Sequence, residues 1–426
     1  HRSRAYDVER TKEIYGKHYT IHWPHEEHDS ARGIRRSPLY FPLKEKGAVY
    51  GAKYGWERAN WFAPEGVAPA EAHTFEIPVW FEHVAAEHKN ARENVVLIDQ
   101  SSFCKFEVEG PGALAFLNRL CANQIDKPVG KVVYTQMCNQ RGTIECDLTI
   151  GRLAVDRFLL VVGTAFGQRV SWWLENHLPA DGSVSVKEMT SAYAVINVIG
   201  PKSRDLLQKL TKADISNQGF AFGTCKQFTV GYAPIMSFRV TYVGELGYEL
   251  YIPTEFAVHV YESLWERGQD LGIKNAGYRT ISSMHLEKGY ADWGSELTPE
   301  YTPYDAGLGF CVALDKEDFI GKEALAKIKA EGAKWKLCTF TIDAGKPLML
   351  QGSAPIILNG EVIGVTTSAG YGHTIGKNIC YGYTAAEKSG VGDGFEIESY
   401  NKRYPAILEP GRALYDPQRK KILAKK

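Results

Sequence analysis

The stretch Val133–Ile150, VYTQMCNQRGTIECDLTI, ends in alternating apolar and polar residues, which predicts a β-strand. One carboxylate of this strand falls on the face opposite the apolar one. Residues of one parity are apolar and predict a face turned to the core: Ile144, Cys146, Leu148 and Ile150. Residues of the other parity are polar: Glu145, Asp147 and Thr149. The pattern therefore places Asp147 off the core face. Taken alone, such an aspartate is more often a solvated strand residue than a catalytic one.

A second alternating segment is Arg239–Pro253, RVTYVGELGYELYIP, which predicts a β-hairpin. Its turn falls at Gly244–Gly247, so the two arms present Tyr242 and Glu249. A third segment, NAGYRTISSMHLEKGYADWGSEL, predicts a helix followed by a loop punctuated by glycines. The helix contains Arg279 and Glu287.

Composition bounds the class of protein. The chain has 426 residues, 44% of them hydrophobic and 12% aromatic. A length of this kind indicates roughly two to three domains with a large core. The formal net charge is zero, which gives no electrostatic preference for nucleic acid or an anionic membrane. We expect the partner to be a small molecule or a protein.

The cysteines and the apolar runs bear on location. The eight cysteines are dispersed, with no CxxC pair, and this indicates reduced, intracellular usage rather than a disulfide framework. The apolar run Phe158–Val162 is far too short to span a bilayer, and the first thirty residues are polar. We therefore expect no membrane span and a location in the cytoplasm or the mitochondrial matrix.

The chain divides into three predicted parts. Residues 1–77 are charged, aromatic and proline-rich, and are expected to wrap around a neighbouring core. Residues 78–330 alternate strands with helices, which predicts an α+β domain. Residues 331–426 contain short strands separated by turn signals, including Asn359-Gly360, and predict a β-barrel or β-sandwich.

These motifs together resemble the aminomethyltransferase family, the folate-binding T-protein of glycine cleavage and its relatives. The second aspartate of the family's GGIxDDL-like segment falls on Asp147, with Cys146 in place of the first. The tyrosine and last glutamate of its GYTGExGxE segment fall on Tyr242 and Glu249, and the arginine that opens its AGLRxxDxLRLExG helix falls on Arg279. The resemblance continues through Thr302–Leu325 and Gly364–Tyr383. It implies a T-protein-like multi-domain fold with a C-terminal β-barrel.

The resemblance also implies a cofactor, tetrahydrofolate, and a role for each matching residue. Asp147 is expected beside the reacting folate nitrogens, where a carboxylate stabilises an iminium cation. Glu249 and Tyr242 are expected at the pterin, since a carboxylate accepts its paired N–H donors and an aromatic ring packs on it. Arg279 is expected at polar or tail groups. Many relatives carry an asparagine where this chain has Thr164. The resemblance therefore does not predict which contact Thr164 makes with folate.

The N-terminal segment indicates which branch of the family the chain resembles. Ser30–Tyr40 (SARGIRRSPLY) and Tyr50–Phe62 (YGAKYGWERANWF) are similar to the join between the flavin and folate halves of dimethylglycine and sarcosine dehydrogenases. No GxGxxG follows a strand near the start, so FAD is not expected on this chain. The implied partners are an N-methyl amine or iminium donor and a flavin-bearing dehydrogenase domain or subunit.

Two further motifs suggest a metal site and an iron–sulfur assembly role, and the sequence favours neither. His18, His22, His25 and His28 match no familiar zinc spacing, and Pro24 interrupts helical phasing, so no metal site is predicted. Lys288-Gly289-Tyr290 has a tyrosine where the iron–sulfur assembly relatives carry the cysteine of a KGCxxGQE-like signature. That branch of the family is disfavoured.

The leading hypothesis is an enzyme that forms 5,10-methylenetetrahydrofolate from the carbon of an N-methylated glycine. One alternative is a demethylase that transfers a methyl group directly to folate. The other is a non-catalytic regulatory subunit, like the relative that controls pyruvate dehydrogenase phosphatase. Retention of Asp147 weighs against a purely regulatory role.

Overall fold

The computed structural model describes residues 3–350, 352–390 and 392–424. Its N-terminal part contains α1 (Arg4–Gly16), α2 (Tyr40–Glu45), β1 (Ala48–Lys53) and β2 (Trp56–Phe62). Helix α1 buries none of its side chains. Leu39, Leu43 and Ala48, in contrast, lie in the core formed with the following part of the chain. The proposed domain boundary at residue 77 stays a prediction.

The central part alternates strands and helices, as its sequence predicted. Its elements are α3 (Phe81–Glu93), β3 (Val95–Asp99), β4 (Cys104–Glu109), α4 (Ala113–Leu120), β5 (Val132–Cys138), β6 (Ile144–Arg152), β7 (Arg157–Val162), α5 (Gly167–Glu175), β8 (Ser185–Glu188), β9 (Tyr193–Ile199), α6 (Ser203–Gln208), β10 (Cys225–Val230), β11 (Ala233–Phe238), β12 (Gly247–Pro253), α7 (Ala257–Arg267), β13 (Ile273–Asn275), α8 (Tyr278–Lys288) and α9 (Lys322–Glu331). Helix α8 ends at Gly289, which adopts a left-handed φ of 76°.

Two sheets form the middle of this part. One has five strands in the order β5-β6-β7-β4-β8, and the other has six in the order β10-β11-β12-β9-β3-β13. Helices α4 and α5 pack on the outer face of the first sheet. Helices α6 and α7 pack on the outer face of the second. The inner faces of the two sheets are therefore left to pack against each other.

The inner faces meet directly where β7 lies opposite β11 and β12, whereas α3 and α8 pack on the inner face of the second sheet at β3 and β9. Leu159 on β7 packs with Phe238 and Tyr251 from the other sheet in one apolar cluster. Gly151 on β6 leaves the space that the Phe238 ring fills, since a Cβ at this position would overlap the ring. Residues of β6 with the parity of Gly151, Asp147 among them, consequently face the space between the sheets.

The C-terminal part is a closed six-stranded barrel in the order β14-β17-β16-β15-β18-β19. Its strands are β14 (Trp335–Ile342), β15 (Pro355–Leu358), β16 (Glu361–Gly372), β17 (Lys377–Ala385), β18 (Gly392–Ser399) and β19 (Lys402–Leu408). The predicted hairpin at Asn359-Gly360 is confirmed, with φ of 52° and 82° at its two turn residues. The expected α+β fold with a C-terminal β-barrel is confirmed.

Helix α8 joins the barrel to the two-sheet part. Tyr381 on β17 donates a hydrogen bond to the carbonyl of Leu286 at 2.6 Å. Glu287 accepts from Arg92 of α3 at 2.8 Å on its other side. In the part of the chain that the structure describes, no helix has both the length and the apolar character needed to cross a membrane.

Candidate functional site

Asp147 lies on β6 with its side chain between the sheets, as the alternation predicted. The burial of β6 alternates, and Asp147 falls on the partly accessible face. Tyr134 on β5 donates a hydrogen bond to Asp147 Oδ2 at 3.1 Å. Desolvation by the surrounding protein, with the nearby Asp292, raises the pKa of Asp147 to about 7. The carboxyl group is therefore poised to change its charge near neutral pH.

Tyr242 lies near the same space, but not on the arm of a hairpin. Strand β11 ends at Phe238, so Tyr242 belongs to the loop before β12, and its placement on a strand was wrong. Its hydroxyl donates to the carbonyl of Ala291 at 3.0 Å, and its ring stacks on His285 at 5.3 Å between centroids. These contacts to the end of α8 stabilise the loop in place of strand pairing.

Glu249 lies on β12 as predicted and also faces the space between the sheets. It pairs across the ladder with Phe238 and Asn197. Tyr251 donates a hydrogen bond to Glu249 Oε2 at 2.6 Å, and burial raises the pKa of the Glu249 carboxyl. Among the described residues, no hydrogen bond is made to its other oxygen, which is left to accept from a ligand.

Thr164 lies two residues beyond the end of β7 and is buried. Its hydroxyl lies 2.9 Å from the hydroxyl of Ser102, which in turn lies 3.3 Å from that of Tyr278. The guanidinium of Arg58 stacks on the Tyr278 ring, 3.5 Å from its centroid. Thr164 thus belongs to a chain of hydroxyl groups that ends at a cation–π contact.

Arg279 opens α8 as predicted, but the structure does not bring it into contact with Asp147, Tyr242 or Glu249. Its guanidinium forms an ion pair with Glu71 at 2.8 Å and lies over the Trp80 ring at 4.3 Å. It lines a separate cavity of about 240 Å³ between the N-terminal segment, α8 and the barrel.

Two residues of the site were missed from the sequence. Tyr134, which donates a hydrogen bond to Asp147, shares its strand parity with one polar residue, Gln136, and that single polar position does not mark a site. Asp292 lies in the loop after α8 and is close enough to Asp147 to raise the pKa of its carboxyl. The signal for Asp292 was present in GYADWG, where a lone acid stands among aromatic residues just beyond the end of a helix.

The four N-terminal histidines do not converge on a common point. His22 lies 3.4 Å from Glu26, His28 lies 3.7 Å from Glu13, and His25 packs against Trp80. Across the described ranges, no group of three or more histidine, cysteine, aspartate or glutamate side chains is placed to hold a metal ion.

The sequence matches two family profiles that together cover most of the chain. Residues 39–316 match the GCVT N-terminal domain, and residues 336–416 match the glycine cleavage T-protein C-terminal barrel domain. The chain belongs to the glycine cleavage T-protein family. The resemblance inferred from the sequence motifs is confirmed. Residues 1–37 match a third profile, the FAD dependent oxidoreductase central domain.

Three relatives illustrate what this chain is similar to. The chain is 39% identical to 4-methylaminobutanoate oxidase (formaldehyde-forming) of Paenarthrobacter nicotinovorans, over 99% of this chain and 51% of that protein. It is 35% identical to human mitochondrial dimethylglycine dehydrogenase, over 99% and 49%. It is 34% identical to an aminomethyltransferase of Halothermothrix orenii, over 79% and 93%. The chain spans about half the length of the oxidase and dehydrogenase relatives.

A solved structure shows the same fold. Aminomethyltransferase T of Bartonella henselae superposes with a TM-score of 0.77 at 24% identity, over 90% of this chain and 99% of that one. The sequence matches identify a transferase-type enzyme domain of the aminomethyltransferase kind, related to the dimethylglycine and sarcosine dehydrogenases.

Proposed function

We propose that this chain is a tetrahydrofolate-dependent one-carbon transferase that forms 5,10-methylenetetrahydrofolate from the methyl carbon of an N-methylated amine. The observation that carries the proposal is Asp147, a carboxyl group enclosed between two sheets with a pKa of about 7. A preorganised carboxylate in such a space stabilises a cation that forms beside it. The iminium from which the carbon is transferred is a cation of this kind.

The described residues fit a folate. Glu249 keeps an oxygen without a hydrogen bond, deep between the sheets, where it can accept from the paired donors of a pterin ring. The Tyr242 ring, in the loop before β12, is partly accessible and can pack against a flat ring. When bound, tetrahydrofolate supplies two nitrogen nucleophiles that take up the carbon while their two N–H protons pass to the departing amine.

The chain's own residues would orient the reaction. Tyr134 donates to one oxygen of Asp147, which fixes the carboxylate plane on β6. The ionised carboxylate then stabilises the positive charge of the donor and aligns the attacking nitrogen. Thr164 stands where many relatives have an asparagine. It would contact folate through its hydroxyl group, which is paired with that of Ser102, and not through a side-chain amide. Arg279 would serve the anionic tail only by sharing its guanidinium with Glu71.

The donor is proposed to come from a flavin-bearing dehydrogenase part. The match of residues 1–37 to an FAD dependent oxidoreductase central domain supports this, as do the names of the oxidase and dehydrogenase relatives. In this proposal residues 1–77 connect to that part, residues 78–330 bind folate and residues 331–426 form the barrel domain. FAD itself is proposed to bind the partner part, and the cytoplasm or mitochondrial matrix stays the predicted location.

Folate binding and product identity test the proposal. Tetrahydrofolate at a hundredfold excess over its dissociation constant should stabilise the chain by about 2.7 kcal/mol, visible as a thermal shift. With an iminium-generating dehydrogenase, the chain should yield methylenetetrahydrofolate, identified by mass spectrometry. Methyltetrahydrofolate would establish the demethylase alternative. Absence of any shift at millimolar tetrahydrofolate would refute the proposal and favour a regulatory subunit, the role named for a mouse relative 37% identical over 89% of this chain.

A further inference from the structure

Gln136 is a buried amide on the same face of the sheet as Asp147. It lies on β5 directly opposite Asp147 on β6. Residues opposite each other in an antiparallel pair point their side chains to the same side of the sheet. Tyr134 lies two positions earlier on β5 and shares that face. Gln136 is 0% exposed, so water does not reach its amide.

The amide of Gln136 lacks the partners that a buried polar group needs. Among the described residues, neither its Nε2 nor its Oε1 has a hydrogen-bond partner. Leaving a buried donor or acceptor unpaired is costly, and nearly all such groups are paired in folded proteins. The amide therefore gives the fold no hydrogen bond, although it lies opposite the carboxylate of the site.

Two polar side chains lie close to this amide, the hydroxyl of Tyr134 and the thiol of Cys311 in the turn Gly309–Cys311. Burial raises the pKa of both groups, and the Gln136 amide opposes part of each rise. The Tyr134 hydroxyl donates its hydrogen to Asp147 Oδ2 at 3.1 Å, so the phenol oxygen can still accept. Because the terminal torsion of a glutamine is broad, a small rotation would bring Nε2 to that oxygen.

We propose that Gln136 is a positioning residue that acts through Tyr134, donating an amide N–H to the phenol oxygen so that the single phenol hydrogen stays directed at Asp147. Hydrogen bonds in such a chain strengthen one another, so this chain favours the ionised carboxylate. The inference rests on the proposed function, in which the ionised Asp147 stabilises an iminium. It adds a residue that orients the carboxylate without touching the substrate.

Other titratable groups around Asp147 also influence its ionisation. They are Cys146 beside it on β6, Tyr242 in the loop before β12, Asp292 in the loop after α8, and Cys311. Asp292 is exposed to water, and its negative charge opposes ionisation of Asp147, whereas the Tyr134 hydroxyl favours it. A substitution at Gln136 alters none of these side chains, so a change in the titration of Asp147 reports the loss of the amide.

The test titrates the Asp147 carboxyl by carbon-13 NMR in the folate-free chain, with aspartate labelled at the side-chain carboxyl and the signal assigned by its loss in Asp147→Asn. Gln136→Met keeps the length of the side chain and removes the amide. It should raise the titration midpoint by about half a pH unit, a roughly threefold loss of the ionised form below the midpoint. The pH dependence of the single-turnover rate should shift in the same way. Tyr134→Phe should also raise the midpoint, and adding Gln136→Met to it should cause no further rise.

Gln227→Met is the matched control, since Gln227 is an exposed glutamine of strand β10, and it should leave the midpoint unchanged. Gln136→Met should melt no lower than the unaltered chain, because it removes a buried amide that has no partner. Gln136→Leu is a second apolar variant with the same expected shift. An unchanged midpoint in both apolar variants, or a further rise when Gln136→Met is added to Tyr134→Phe, would overturn the inference. The titration needs neither folate nor turnover, so a shifted midpoint in a chain that transfers no carbon would refute the proposed function and leave the role of Gln136 standing.

Discussion

Asp147 illustrates how the surroundings of one residue change the pKa of its side chain. A strand aspartate in water would be ionised well below neutral pH, whereas desolvation and the nearby Asp292 bring the pKa of Asp147 to about 7. Tyr134 opposes part of that shift by donating to the carboxylate. The strand parity that places Asp147 off the core could be predicted from sequence. The proximity of Asp292 to Asp147 could not be predicted, because the two positions differ by 145 in the chain and only tertiary packing brings them together.

Activity is expected to follow the ionisation of Asp147. The carboxylate is the form that stabilises a cation, so the single-turnover rate should rise with pH through about 7 and level off above it. Asp147→Asn should remove this rise and lower the rate on the order of a hundredfold, corresponding to about 3 kcal/mol. The measurement is methylenetetrahydrofolate formation above the uncatalysed background between pH 5.5 and 8.5.

Stability supplies the control for this prediction. A carboxyl whose pKa is raised on folding stabilises the folded state while it is protonated, and that contribution is lost as pH rises through about 7. Asp147→Asn should therefore melt higher than the unaltered chain at pH 8, with a smaller difference at pH 5. A variant that melts lower at pH 8 and is inactive has lost its fold rather than its charge.

Glu249→Gln is expected to weaken tetrahydrofolate binding without destabilising the chain. The amide presents its own NH₂ to the pterin donors, and loss of one charge-assisted bond should cost roughly 1.5–3 kcal/mol of affinity. Binding is measured by titration calorimetry. Glu255→Gln, six positions further along and exposed, is the control and should bind as before. An unchanged affinity for Glu249→Gln would place the pterin elsewhere.

At the scale of elements, the sequence predicts periodic segments well and loops poorly. The alternation of β6, the helix α8 and the Asn359-Gly360 turn each follow from local chemistry, and the structure contains all three. Tyr242 was assigned to a strand because its segment alternates. Its hydroxyl finds a partner at Ala291 instead, and that distant contact overrides the local pattern.

Gly151→Ala is expected to disturb the packing of the two sheets. A Cβ would overlap the Phe238 ring, and overpacking of this kind costs roughly 1–3 kcal/mol. The free energy of unfolding, from denaturant titration, should fall by that amount. Gly411→Ala is the matched control, since a Cβ at this position meets no atom within 4 Å. If the double variant Gly151→Ala/Phe238→Leu regains the lost free energy of unfolding, the overlap between the new Cβ and the Phe238 ring is the cause of the destabilisation.

At the scale of the whole molecule, a buried charge network connects the parts of the chain. Arg92 on α3 bonds to Glu287 on α8 at 2.8 Å and to Glu245 at 3.2 Å. Tyr415, beyond the barrel, donates to Glu245 at 2.6 Å and lies under the Arg92 guanidinium. None of these pairs could be read from the sequence, since every contact joins positions far apart in the chain.

Arg92→Met is expected to destabilise the chain by about 3–5 kcal/mol, because it leaves two buried carboxylates without their cation. The melting temperature and the denaturant midpoint should both fall. Arg119→Met removes a surface arginine whose partner lies at 4.0 Å, so its effect should stay below about 1 kcal/mol. Equal losses of stability in Arg92→Met and Arg119→Met would show that the buried network stabilises the chain no more than a surface ion pair does.

Water that reaches Asp292 has a chemical consequence for the proposed reaction. Water is itself a nucleophile toward an iminium, and its attack releases formaldehyde and the free amine. In the proposed reaction, water and folate would therefore compete for the same carbon, and the product would depend on whether folate is already bound. The yield of formaldehyde would then report the fraction of chains without bound folate, and it should fall as the folate concentration approaches saturation. If the proposed reaction is correct, folate would have to bind before the donor for the carbon to be kept as methylenetetrahydrofolate and not released as formaldehyde.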